Sequence, residues 1–352
     1  LFYIAPLFTK NLLSIVNHKK QRSMNGLVCS MVFWSILIVT FSPFLKVPMV
    51  VATEIIAASQ TTQVNENTAI IIRSQQIAAY NDAIKGFEEG CKEKNISIKE
   101  IYDLKGDTEE ARKIVHAIKR GKIKPKLILA VGVLAATLAK DQFPDIPIIF
   151  CMVINPERFH LSGTNITGIS SEASLEDQFV ILKEILGLKK NVGVLYDPTK
   201  TGKVISEAIN VAKKFKINLL QIEVLSENEV LSALKNNIDK LNALWIVPDG
   251  TVITKDSIED ICKETSKNQI PTFCTSSAIV KAGALISISP DYVYTGRQAA
   301  QMAHTLLNNP TTTSLGIKWP DKLQITLNTK TAKRIGTNLS AFKSFPDIIL
   351  YP

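Results

Sequence analysis

The feature that most constrains this chain is a series of short apolar runs, each followed by an amphipathic stretch, that occurs twice. From Thr68 the runs Thr68–Ile72, Ile96–Ile101, Lys126–Ala130 and Ile146–Cys151 alternate with stretches of helical period. The series then restarts with Val192–Tyr196, Ile217–Val224, Ala243–Val247 and Pro271–Cys274, and Ala284–Ile288 comes last. Continuous apolar runs of this length suit strands buried on both faces. Steps of about 20–30 residues leave room for a covering helix between parallel neighbours. The helices carry their own signals: Tyr80, Ala83, Ile84, Phe87 and Cys91 share one face, and Asp107 with Glu110 forms a capping box for a helix ending near Gly121. The reading is an α/β fold of two doubly wound parallel-sheet lobes.

Phe150 to Ser171 lies between the two series. It starts at the end of an apolar run, turns at Asn155-Pro156, passes a polar loop and becomes extended again at Asn165–Ser170. The chain is expected to leave the first lobe (68–165) here and enter the second (166–289). The rest, 290–352, reads as a helix over Tyr292–Leu307, a break at Asn308-Asn309-Pro310, a strand over Lys322–Leu327 and a short helix over Thr331–Ile335. Part of 290–340 is expected to return to the first lobe, and several crossings together make a multi-strand hinge.

Charge is informative mainly at the N-terminus. The net charge is +9, but residues 1–52 contribute five of these charges (Lys10, Lys19, Lys20, Arg22, Lys46) and no acid. Elsewhere Lys and Glu are interspersed, which describes solvated helix faces and not a nucleic-acid surface. Ser23–Leu45 is uncharged and follows a basic cluster, the signature of a secretory signal or of a membrane anchor through 24–45. Val50-Val51-Ala52 offers the small-residue ending of a cleavage site, and both alternatives place the rest of the chain outside the cytoplasm. Residues 53–67 read as a polar linker.

Enzyme signals are poor. GxGxxG after the first strand, GxxxxGK[ST], HExxH and GxSxG are all absent. The five cysteines lack any CxxC pair, so zinc is not indicated, and buried free thiols are the simplest reading. No cofactor is called for. In parallel sheets, ligands bind at the carboxyl ends of the strands. Those positions hold Ser74, Gln75, Gln76, Gly132, Asn155, Tyr196, Asp197, Asp249, Ser276 and Ser277, with Ser170 on the crossover. Hydroxyls, amides and two carboxylates without an Arg or Lys pair suit a small polar or zwitterionic ligand. Each position has a structural alternative: Asp197-Pro198 and Asp249-Gly250 are turn signals, Ser276 and Ser277 suit a helix cap, and Tyr196 can pack under its loop.

Several strings resemble the substrate-binding proteins of ABC importers, in the family whose characterised members bind aromatic amino acids. They are Ala79-Tyr80-Asn81-Asp82-Ala83-Ile84-Lys85-Gly86-Phe87, Asn155-Pro156, Leu161–Gly168, Asn191–Pro198, Gly283–Ser287, Leu327–Ala332 and Ile335-Gly336. The resemblance implies a type I periplasmic-binding-protein fold that closes on its ligand and docks on a membrane permease. It points to the same site residues apart from Ser277, with Asp249 or Asp197 holding an ammonium. The expectation is a non-catalytic, extracytoplasmic, monomeric protein that delivers an amino-acid-like ligand to an ABC permease. The alternative is a sensor ectodomain that uses the same cleft to signal.

Overall fold

The computed structural model describes residues 66–337, Phe342 and 348–352. The segment expected to be an export signal or anchor (1–52), the expected linker up to residue 65 and Cys29 lie outside the described residues. No helix among the described residues is long and apolar enough to cross a membrane.

The first sheet contains β1 (Asn67–Arg73), β2 (Ile96–Asp103), β3 (Leu127–Val131), β4 (Ile148–Val153), β5 (Ile166–Ser170) and β11 (Ile317–Lys318), in the order β11-β5-β4-β3-β1-β2. All its pairings are parallel. Helices α1 (Ala78–Glu93), α2 (Thr108–Arg120) and α3 (Val133–Gln142) connect its early strands. The second sheet contains β6 (Asn191–Tyr196), β7 (Asn218–Glu223), β8 (Ala243–Ile246), β9 (Thr272–Cys274), β10 (Ile286–Pro290), β12 (Leu323–Asn328) and β13 (Ile348–Tyr351), in the order β13-β12-β10-β9-β8-β6-β7. Its helices are α4 (Leu175–Leu186), α5 (Pro198–Lys214), α6 (Glu227–Asn237), α7 (Lys255–Lys267), α8 (Ser277–Lys281) and α10 (Thr329–Ile335). Each sheet has an apolar cluster on each face, as fully buried parallel strands require.

The boundary expected at 166 needs correction. β5 is hydrogen-bonded beside β4, with Ile166 opposite Ile148 and Thr167 opposite Ile149, so it closes the first sheet and does not open the second. Its crossover carries only the single 3₁₀ turn Pro156–Phe159, so no helical period marks it as a β-α-β unit. The chain passes to the second sheet after Ser170, returns after Pro290 and passes over again after Lys318.

On its return the chain forms α9 (Tyr292–Asn308), which packs directly on α1. Glycines allow this contact: a Cβ at Gly86 would lie 1.8 Å from the Val293 carbonyl oxygen, and one at Gly296 2.0 Å from that of Ala83. β12 pairs antiparallel with β10, Ile286 facing Leu327. The direction follows from connectivity, because the chain re-enters the second sheet at the end where β10 leaves it. Asp291 N–H donates to the Lys322 carbonyl at 3.0 Å and ties the two crossings together.

Cys91, Cys151, Cys262 and Cys274 are buried free thiols, and burial pushes each thiol pKa up to about 12.

Candidate functional site

All three crossings use the carboxyl ends of β5, β10 and β11, so the carboxyl ends of both sheets face a common space. The polar residues at these ends fall into separate groups.

Ser74 ends β1. Its hydroxyl accepts from the Ala135 N–H at 3.0 Å, capping α3 from a neighbouring strand where the N-cap residue, Gly132, has no side chain. Gly132 has φ +90°, and a Cβ there would lie 2.6 Å from Tyr80 Oη and 2.7 Å from Ser74 Oγ. Gln75 and Gln76 are exposed on the same loop.

Asp197 and Asp249 form a second group, within the second lobe. Asp249 accepts from Asp197 N–H (2.9 Å), the Thr201 hydroxyl (2.6 Å) and Thr251 N–H (2.8 Å). Asp197 accepts from Thr199 N–H (2.9 Å) and from the hydroxyls of Thr199 and Thr251 (both 2.7 Å), with Lys200 at 3.7 Å. The Thr199 hydroxyl, followed by that of Thr251, holds the Asp197 pKa down to about 2. Each carboxylate accepts three hydrogen bonds from donors of its own lobe, of the about four that its lone pairs allow. The two carboxylates, one of which the sequence expects to hold a ligand ammonium, tie the β6 and β8 loops together. Tyr196 is also turned away: its hydroxyl is shared between Gln221 (3.2 Å) and Glu223 (3.0 Å) on β7. Ser276 caps the five-residue α8 through Ala278 N–H at 3.3 Å, and Ser277 is its first residue.

The third group opens on a cavity of about 460 Å³ with walls from both sheets. Asn155, Ser170 and Ile317 come from the first lobe; Leu175, Trp245 and Val247 come from the second. Trp245 is fixed by its indole N–H donating to Gln178 (3.1 Å) and by an edge contact with Phe179 at 5.4 Å. Trp319 lines the same cavity and is 56% exposed.

Glu172, on the crossing after β5, also lines it. It accepts one hydrogen bond, from Asn155 N–H at 3.0 Å, which Asn155 directs from a left-handed conformation (φ 47°). Burial raises the carboxyl pKa above its ordinary value, and the Asn155 N–H opposes this only in part. Lys203 of α5 reaches over to Glu157 of the first lobe at 2.6 Å. The structure thus brings Asn155 and Ser170 together with Glu172 and Trp319, which the sequence reading did not select. The available signal was one acid in an otherwise uncharged crossing, Gly168 to Leu175.

With this geometry in view, comparison with known proteins is decisive for the family. Residues 68–341 match the family described as ABC transporter substrate binding protein. The chain belongs to that family. Its members are substrate-binding proteins and not enzymes. A tyrosine-binding protein of Clostridioides difficile (strain R20291) is 25% identical over 259 residues, covering 71% of this chain and 73% of the relative. A ligand-free, open substrate binding protein with adhesive properties from Clostridium difficile aligns with TM-score 0.71 and 23% identity, over 81% of this chain and 99% of that one. The ABC domain from Streptococcus pneumonia in complex with L-Trp aligns with TM-score 0.58 and 19% identity, over 80% and 100%. These structures share the two-lobed type I periplasmic-binding-protein fold with this family member.

Proposed function

We propose that the protein is the extracytoplasmic solute-binding component of an ABC importer. It takes a small zwitterionic, amino-acid-like ligand into the space between its lobes and presents it to a membrane permease. The observation that carries this reading is the cavity between the sheets, whose walls combine polar groups of the first lobe with aromatic and aliphatic side chains of the second. Family membership supports it, as do a relative that binds tyrosine and a similar fold holding L-Trp. In this reading Asn155 and Ser170 contact the ligand in the cavity, while Ser74, Gln75, Gln76, Gly132, Ser276 and Ser277 edge the cleft and approach as the lobes rotate about the crossings. A ligand that touches both lobes stabilises the closed state and shifts the population towards it.

A thermal-shift screen of amino acids, nucleosides and sugars against the full chain tests this. A ligand bound only by the folded form raises the melting temperature. Shifts confined to amino acids are the expected outcome; shifts confined to sugars or nucleosides would contradict it.

A further inference from the structure

The cavity between the lobes is rich in acids. Besides Glu172 it is lined by Glu157 of the 3₁₀ turn, Glu176 of α4 and Glu207 of α5, against one lysine, Lys203. Three of these acids have cations nearby. Lys203 lies 2.6 Å from Glu157 and 3.9 Å from Glu207, and Lys214 lies 3.4 Å from Glu176. Glu172 makes no ion pair among the described residues; its one partner is the Asn155 N–H, on Oε2. An unpaired carboxylate away from bulk water is costly, and a cation that arrives with a ligand relieves that cost. Its position matters too. Glu172 stands where β5 leaves the first sheet, with the buried Trp245 and the exposed Trp319 in the same cavity wall.

Building on the proposed function, we infer that Glu172 is the specificity-determining residue for a protonated amine: the ligand's ammonium pairs with its carboxylate while the ligand's apolar part lies against Trp245 and Trp319. A primary ammonium fits because it brings three donors and one full charge to an acceptor with Oε1 uncommitted. Ammonium capture would also tie two of the crossings to the second lobe, since Glu172 lies on the crossing after β5, Trp319 on the one after β11, and Trp245 in β8. Burial, which raises the Glu172 carboxyl pKa, agrees with this, because a desolvated carboxylate gains most from an arriving cation.

The test is calorimetric titration of the full chain and its Glu172→Gln variant with L-tyrosine, L-tryptophan, tyramine and 3-(4-hydroxyphenyl)propanoate. Glutamine keeps an oxygen for the Asn155 N–H, and the melting temperature checks the fold. A Glu172→Asp variant keeps the charge and is expected to retain the preference for amines. Wild type should bind an amino acid at least about 30-fold more tightly than the deamino acid, and Glu172→Gln should lose roughly that factor for the amino acid only. Equal affinity of wild type and Glu172→Gln for the amino acid would overturn the inference and leave the proposed function standing. So would wild-type binding of the deamino acid as tight as that of tyrosine. Failure of wild type to bind any of the four would overturn the inference, while the proposed function falls only if the wider amino-acid screen also gives no shift.

Discussion

The carboxylates at the edge of the cleft fall into two unlike environments. In the second lobe, Asp197 and Asp249 are surrounded by threonine hydroxyls and backbone N–H groups, and together they receive six hydrogen bonds from their own lobe. On the crossing, Glu172 has one donor and faces a cavity. A carboxylate with three donors from its own fold stabilises loops; one with a single donor has more capacity for a ligand. All three follow the carboxyl end of a strand, Asp197 and Asp249 in loops and Glu172 on a crossing, and they differ in their partners.

The largest expected effect tests the three-donor side. Asp249→Ala leaves the Asp197 and Thr251 N–H groups and the Thr201 hydroxyl without their acceptor. It should cost about 4 kcal/mol, seen as a melting temperature lower by roughly 5–10 °C. An unchanged melting point with lost ligand affinity would reverse the assignment of roles. Next, Gly132→Ala forces a side chain into a left-handed conformation against Tyr80 and Ser74, at about 2 kcal/mol by chemical denaturation. Ser276→Ala removes the cap of a five-residue helix and should cost only about 0.5 kcal/mol.

Acidity separates the two environments without a large change in structure. Asp197 is depressed to about 2, so its stabilising contribution is present above its ordinary 3.8 and is lost as pH falls towards 2. Acid unfolding curves of Asp197→Asn should lack that component. Glu172 is raised, so the sign is opposite: its contribution is present below its ordinary 4.5 and is lost as pH rises through the raised value. For ligand binding the same shift means that amine affinity weakens on acidification before an ordinary carboxyl would protonate. Glu172→Gln should flatten that profile, with the smallest stability change of the set. A pH dependence that persists in Glu172→Gln would locate the titrating group elsewhere.

How much of this was legible depended on whether the signal was local. The alternation of apolar runs and amphipathic helices specified both sheets, because buried parallel strands and their covering helices each impose a period on the chain. Asp197-Pro198, a turn signal in the sequence, is the N-cap and first residue of α5. Aspartate before a proline at the first helical position was a readable signal for that start. The place of β5 could not be read, since a strand that follows a short loop with one 3₁₀ turn carries no mark of which sheet it joins. β11, two residues long, and β13 have too little pattern to detect. Asn155 and Ser170, which line the cavity, could be picked out as a polar residue after a strand and one on the crossover. Glu172 and Trp319 line it too but carry no local signal of doing so, because only the assembled lobes bring their crossings around one cavity.

The account stands on capture of a small zwitterion between the two sheets, and the crystal structure of the protein grown with L-tyrosine tests that most directly. The account predicts ligand density in the cavity bounded by Asn155, Ser170 and Trp245, with the amine within hydrogen-bonding distance of Glu172. Ligand bound outside the space between the sheets, or bound there with its amine turned away from Glu172 towards Asp197 or Asp249, would contradict it.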